Sequence, residues 1–248
     1  LFLEGLSEVV CLLGPSLSDL ATGSVAPALL FDVEGTLVDC VGQTLESWRE
    51  TLADFGLSVS IEELHAFSGM DGGEMLDLLQ RESRKTLGPK KEILREQGLR
   101  YREKFLPTVA PFPGIRSLFE TARQAGWRIA LATSCQPDEL KYYGAMLDIS
   151  DLVEAVACGE DVQRGKPHPD LHRLALRRLD VDGREAMAVG DTPFDATAAA
   201  QAGIAGVVGT LTGGFSVAAL QAAGCGLVVE QPADLLGMIA ARKPAHPS

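Results

Sequence analysis

From residue 115 onward, short apolar runs of strand length alternate with helix-patterned stretches, and that alternation is the strongest constraint on the fold. Ile115, Leu118, Phe119 and Ala122 fall on one helix face, and Trp127 to Thr133 then reads as a strand. Leu152 to Cys158, Glu185 to Gly190 and Ile204 to Val208 read as three more, and Gly226 to Val229 as an edge strand. A further apolar run, Ala28 to Phe31, stops abruptly at Asp32 and brings the number of expected strands to six. Strands separated by helices pair in parallel, so the predicted architecture is an α/β fold with a Rossmann-like parallel sheet flanked by helices.

Between Asp39 and the proline-rich stretch Leu106 to Gly114 the pattern is helical. Leu45, Trp48, Leu52 and Phe55 recur at spacings of three and four, with Gly56 where a C-terminal cap belongs. Ser60 with Glu63 forms a capping box that opens a second helix. Gly69, Gly72 and Gly73 break the chain before a helix from about Glu74 to Arg81, and Ile93, Tyr101 and Phe105 belong to another. No strand is predicted between 43 and 106. The expected organisation is an N-terminal extension or amphipathic packing segment over residues 1–26, an α/β core from residues 27–42 and 108–248, and an inserted all-helical domain over residues 43–107.

A net charge of −12 weighs against nucleic acid and anionic membranes, both of which are bound through cationic side chains. No apolar run approaches the ~20 residues of a membrane span. Val9 to Leu13 is apolar but follows no basic residue, which makes a poor signal peptide. Cys11, Cys40, Cys135, Cys158 and Cys225 are odd in number and form no C-x-x-C pair, as expected of reduced thiols in a cytoplasmic protein. Cys135 reads as a small semi-buried residue rather than a nucleophile. An acidic chain that handles phosphate must gather positive charge locally, through a metal ion and one or two placed basic residues.

The strand ends carry the candidates for such a site. Asp32 and Glu34, two residues apart, repel each other unless a cation joins them, and Mg²⁺ there would also draw a phosphate oxygen towards Asp32 as nucleophile. Thr133 and Ser134 end the next strand, Lys166 sits in Gly165-Lys166-Pro167-His168 before a helix, and Asp191 and Asp195 follow Gly190. All open on one crevice if the sheet is parallel. Hydroxyls and backbone N–H groups, including those of Gly35 and Thr36, can hold phosphate oxygens; Lys166 can neutralise charge; Asp191 and Asp195 can complete a hard oxygen site for Mg²⁺. Plainer structural readings exist for Thr133 as a strand-end hydroxyl, Asp195, Asp71 and Glu74 as helix N-terminal carboxylates, and His168 as a structural side chain.

In these four ordered motifs, over about residues 28 to 230, the chain resembles the haloacid dehalogenase-like hydrolase superfamily, in its helical-capped phosphoglycolate phosphatase and β-phosphoglucomutase branch. The resemblance implies that Asp32 is phosphorylated, that Glu34 is the general acid and base, that Thr133 and Lys166 hold the phosphoryl group, and that Asp32, Asp191, Asp195 and the backbone carbonyl of Glu34 bind Mg²⁺. It also implies that residues 43–107 form a cap that sets specificity. Position 34 departs from the pattern, since the resembling phosphatases carry aspartate there. The expected activity is Mg²⁺-dependent hydrolysis of a small-metabolite phosphate monoester by a monomer or homodimer. A phosphomutase, or a phosphate-binding or partner-binding protein impaired by Glu34, stays open as an alternative.

Overall fold

The computed structural model describes residues 27–241. The N-terminal extension expected for residues 1–26 lies outside the described residues. In chain order the strands are β1 (Ala28–Phe31), β2 (Val38–Asp39), β3 (Ala110–Pro111), β4 (Arg128–Ala132), β5 (Ala155–Ala157), β6 (Ala186–Gly190), β7 (Gly206–Thr210) and β8 (Leu227–Val229). The α-helices are α1 (Val41–Asp54), α2 (Ile61–His65), α3 (Gly72–Ser83), α4 (Lys90–Arg100), α5 (Ile115–Gln124), α6 (Pro137–Leu147), α7 (Asp170–Leu179), α8 (Pro193–Gln201), α9 (Val217–Ala223) and α10 (Leu236–Ala240). Six strands form one parallel sheet in the order β5-β4-β1-β6-β7-β8.

The two faces of this sheet follow from the period-two direction of strand side chains. Leu29, Phe31, Ile129, Leu131, Met187 and Val189 enter one apolar cluster with α5 and α6, while Ala28, Leu30, Ala130, Ala132, Ala186 and Ala188 enter another with α7 and α8. Both faces are covered, so β1 is buried at every position, as parallel strands usually are. Small alanines on the second face let α7 and α8 lie close to the strands. On the first face Phe31 and Phe119 meet with ring centroids 4.7 Å apart. Phe119→Ala is expected to destabilise the protein by about 3–5 kcal/mol, the usual cost of emptying a fully buried aromatic site, read as a lower denaturant midpoint.

The segment between β2 and β3 is helical and holds its own apolar cluster around Leu52, Leu64, Leu76 and Ile93. Gly56, at φ +82°, follows α1 where the cap was expected, and the Ser60–Glu63 capping box opens α2. α3 starts two residues before the expected Glu74, because Asp71 accepts the N–H groups of Gly73 and Glu74. The expected helix through Ile93, Tyr101 and Phe105 changes character: α4 ends at Arg100 and a π-helical turn covers Tyr101–Phe105. The strand expected over Leu152 to Cys158 shrinks to β5, and the one over Ile204 to Val208 shifts to β7. The β2–β3 pair, two residues each and antiparallel, joins the two passages into and out of the helical segment. Neither is long enough to be visible as a periodic pattern.

β1 lies between β4 and β6, so the connections depart to opposite sides of it and leave a crevice beyond its carboxyl end. Asp32 N–H continues the ladder to Val189 O at 2.9 Å, which fixes the Asp32 backbone at that crevice. Among the described residues, no helix is long and apolar enough to cross a membrane.

Candidate active site

Beyond β1 the chain turns back at once: Gly35 N–H and Leu37 N–H bond Val38 O and Val33 O at 2.9 and 2.8 Å. Gly35 adopts φ +78°, and a side chain there would run into Asp191 and Val41. A residue other than glycine would therefore both strain the turn and displace a carboxylate. A cavity of about 580 Å³ lies over this loop, with Asp32, Glu34, Ser134, Lys166 and Asp191 on the core side and Trp48, Phe67 and Met70 on the helical side.

At its base Asp32, Asp191 and Asp195 each place a carboxylate oxygen within 4.8 Å of the others. Lys166, 1% exposed, reaches Asp32 Oδ1 at 2.5 Å and Asp195 Oδ1 at 2.7 Å. Burial opposes its charge, but Asp195 and Asp32 outweigh burial and hold the ammonium above its ordinary range. Burial pushes Asp32 up to about 6 against the pull of Lys166. Asp195 is also pushed up by burial, yet Lys166 and the Thr192 hydroxyl hold it below the usual carboxylate range. Asp191 is raised well above that range by burial and by the charges of Asp195 and Asp32. Its Oδ1 accepts the Thr36 hydroxyl at 2.8 Å, and its buried Oδ2 has no hydrogen-bond partner among the described residues. One lysine among three crowded carboxylates leaves negative charge uncompensated, and an all-oxygen donor set with an orphaned oxygen suits a hard divalent cation such as Mg²⁺.

Asp195 takes the helix N-terminal place of its plainer reading and also turns an oxygen to the buried lysine. Its Oδ2 accepts the Thr192 N–H and hydroxyl at 3.1 and 2.6 Å as the capping box of α8, while Oδ1 faces Lys166. The Thr36 hydroxyl serves Asp191; the phosphate contact expected of this residue is one through its backbone. Of the two β4-end hydroxyls, Thr133 is fully enclosed and accepts the Cys135 N–H at 3.2 Å, whereas Ser134 Oγ is buried, lines the cavity and has no partner among the described residues. Cys135 is buried, and burial holds its thiol well above the ordinary range.

Glu34 corrects an expectation. Its carboxyl is not in the Asp32–Asp191–Asp195 cluster but lies beside Tyr143, whose hydroxyl donates to Oε1 at 3.4 Å. Only its backbone carbonyl is left for a metal. Burial, then the charges of Glu139 and Asp32, push the carboxyl up to about 8, so it carries its proton at neutral pH. Tyr143 and Glu139 were not anticipated. Glu139 is legible as the third residue of α6, where it bonds Gln136 N–H at 2.9 Å, but nothing in the sequence says that it faces Glu34.

Several polar contacts seat the helical segment on the core. Asp71 N–H bonds Lys166 O at 2.9 Å, His168 Nε2 lies 2.8 Å from Glu74 Oε1, and His65 Nε2 lies 2.7 Å from Gly213 O. Arg102, on the π-helical turn, faces Glu139 at 3.6 Å. His168 thus has the structural part expected of it, and Asp71 caps α3 while holding the backbone of the buried lysine.

Comparison with known proteins places these features. The model of the haloacid dehalogenase-like hydrolases matches residues 29–208. A phosphorylated carbohydrates phosphatase from Thermotoga maritima is 29% identical over 218 residues, covering 86% of this chain and 97% of its own. A plasmid-encoded phosphoglycolate phosphatase from Cupriavidus necator is 30% identical over 183 residues, covering 71% of this chain and 78% of its own. The crystal structure of a hydrolase from Pseudomonas syringae is similar with a TM-score of 0.79 and 30% identity, over 88% of this chain and 99% of that one.

Proposed function

The chain belongs to the haloacid dehalogenase-like hydrolases and is a phosphoric monoester hydrolase, and from that premise we propose that it acts on a small phosphorylated metabolite through an aspartyl-phosphate at Asp32. The observation that carries the reading is the convergence of Asp32, Lys166 and Glu34 at one cavity above a carboxylate cluster. An oxygen of Asp32 attacks phosphorus and the ester P–O bond breaks, while Glu34 gives its proton to the departing alcohol oxygen. Glu34, now a carboxylate, takes a proton from water. The water oxygen attacks phosphorus, and the acyl-phosphate P–O bond breaks to return Asp32 and inorganic phosphate.

Lys166 meets the charge of the phosphoryl oxygens, and the Ser134 hydroxyl with the backbone of Gly35 and Thr36 orients them, while the enclosed Thr133 hydroxyl braces the loop through the Cys135 N–H. Asp32, Asp191, Asp195 and the Glu34 carbonyl would hold Mg²⁺, which when bound supplies positive charge to the transferring group. Residues 43–107 act as the cap that excludes water and selects the leaving group, over a core of residues 27–42 and 108–248. The relatives act, by name, on phosphorylated carbohydrates and phosphoglycolate, which supports a small phosphorylated substrate.

Phosphate release from a panel of alkyl phosphomonoesters tests the reading. Stripping divalent cations with EDTA is expected to lower turnover by about 10²-fold or more, with Mg²⁺ restoring it. Undiminished turnover after stripping would remove the metal from the account, and an absence of release from every monoester would remove the hydrolase.

A further inference from the structure

The polar chain behind Glu34 has no place in the steps above, and it joins both halves of the molecule. Tyr143 stands on α6 in the core, fully buried, and Tyr101 stands on the π-helical turn of the helical segment, 2% exposed. Their hydroxyls meet at 2.6 Å, and Tyr143 also reaches Glu34 Oε1 at 3.4 Å. Burial first, and neighbouring charges after it, hold both phenols well above their ordinary range, so each keeps its hydrogen. The directions follow. Tyr143 has one hydrogen; given to Glu34, it leaves the Tyr143 oxygen to accept from Tyr101.

We infer that Tyr143, backed by Tyr101, is a positioning residue for Glu34, and that this tyrosine pair is what fits a glutamate rather than an aspartate to the acid's place. The inference rests on the reading of Glu34 as general acid. With Oε1 engaged by Tyr143, the contact leaves Oε2 as the carboxyl oxygen that meets the leaving alcohol. It also fixes the one extra rotatable bond whose freedom would otherwise scatter the longer side chain. An aspartate at position 34 is shorter by one methylene, about 1.5 Å, and does not reach Tyr143.

The test compares Tyr143→Phe and Tyr101→Phe in the wild-type and Glu34→Asp backgrounds, with an alkyl phosphate and with p-nitrophenyl phosphate. Removal of one hydroxyl keeps the ring and its packing, and a thermal melt checks the fold. Tyr143→Phe is expected to lower alkyl-phosphate kcat by about 5–10-fold with KM little changed, the range for one net hydrogen bond. Tyr101→Phe, one step further back, should cost less. The pre-steady-state burst of p-nitrophenol should stay within about twofold, because that leaving group needs no proton. In the Glu34→Asp background, Tyr143→Phe should change alkyl turnover by less than about twofold.

Equal losses for burst and alkyl turnover, or the same loss in both backgrounds, would show a merely structural hydroxyl and overturn the inference. So would an unaltered alkyl kcat in Tyr143→Phe while Glu34→Gln is impaired. Failure of the parent reading looks different: Glu34→Gln itself would leave alkyl turnover intact, and the tyrosine assignment would fall with it.

Discussion

Asp32→Asn is expected to lower phosphate release by about 10⁴-fold or more, the scale seen when a covalent nucleophile is removed. The amide has nearly the same volume but lacks the charge and lone-pair availability that let the carboxylate attack phosphorus. The fold should survive. Lys166 keeps Asp195 at 2.7 Å, so no ammonium is left buried and alone. The folded protein raises the Asp32 carboxyl from 3.8 to about 6, which means that at neutral pH its charge costs stability rather than supplying it. A neutral asparagine removes that cost, and thermal stability without divalent cations should hold or rise. Mass spectrometry of acid-quenched wild-type enzyme should detect one added phosphoryl group on the peptide containing Asp32, and none on the variant. Turnover near the wild-type rate would make Asp32 a ligand only, and the nucleophile would have to be sought elsewhere.

Glu34→Gln is expected to lower alkyl-phosphate turnover by about 10²–10⁴-fold with little change in substrate binding, the range for loss of a general acid and base. Glutamine keeps the length and can accept from Tyr143, but it cannot donate a proton to the alcohol or take one from water. Glu34→Asp should retain substantial activity, because its shorter carboxyl still lies beside the cavity. An aryl phosphate should be affected less than an alkyl phosphate in the first step. If Glu34→Gln leaves alkyl turnover unchanged, the acid lies on another residue; if the wild type is inert and Glu34→Asp active, a phosphate-binding role becomes the better account.

Much of this was legible in the residues, for a reason that belongs to parallel sheets. Every strand of such a sheet opens at the same edge, so a polar residue directly after an apolar run can be placed at the crevice from its own segment alone. Asp32 after β1, Thr133 after β4 and Asp191 after β6 needed only the strand that precedes each. The capping box at Ser60 was equally local, being written within four residues.

What a side chain does once it reaches the crevice is decided by contacts that sequence order hides. Thr36 meets Asp191 across 155 positions, and Tyr143 meets Glu34 across 109, so no periodicity or spacing could pair them. The left-handed turn at Gly35 and its packing against Asp191 give the Thr36 hydroxyl to a carboxylate. Among the described residues, the same folding leaves Ser134 Oγ, not the enclosed Thr133, without a partner at the cavity. Residue type and strand position determined which groups gather. Only the three-dimensional packing of α6 and the π-helical turn behind the loop decided that Glu34 faces two buried phenols and a second glutamate, an apolar and negatively charged setting that keeps its proton in place.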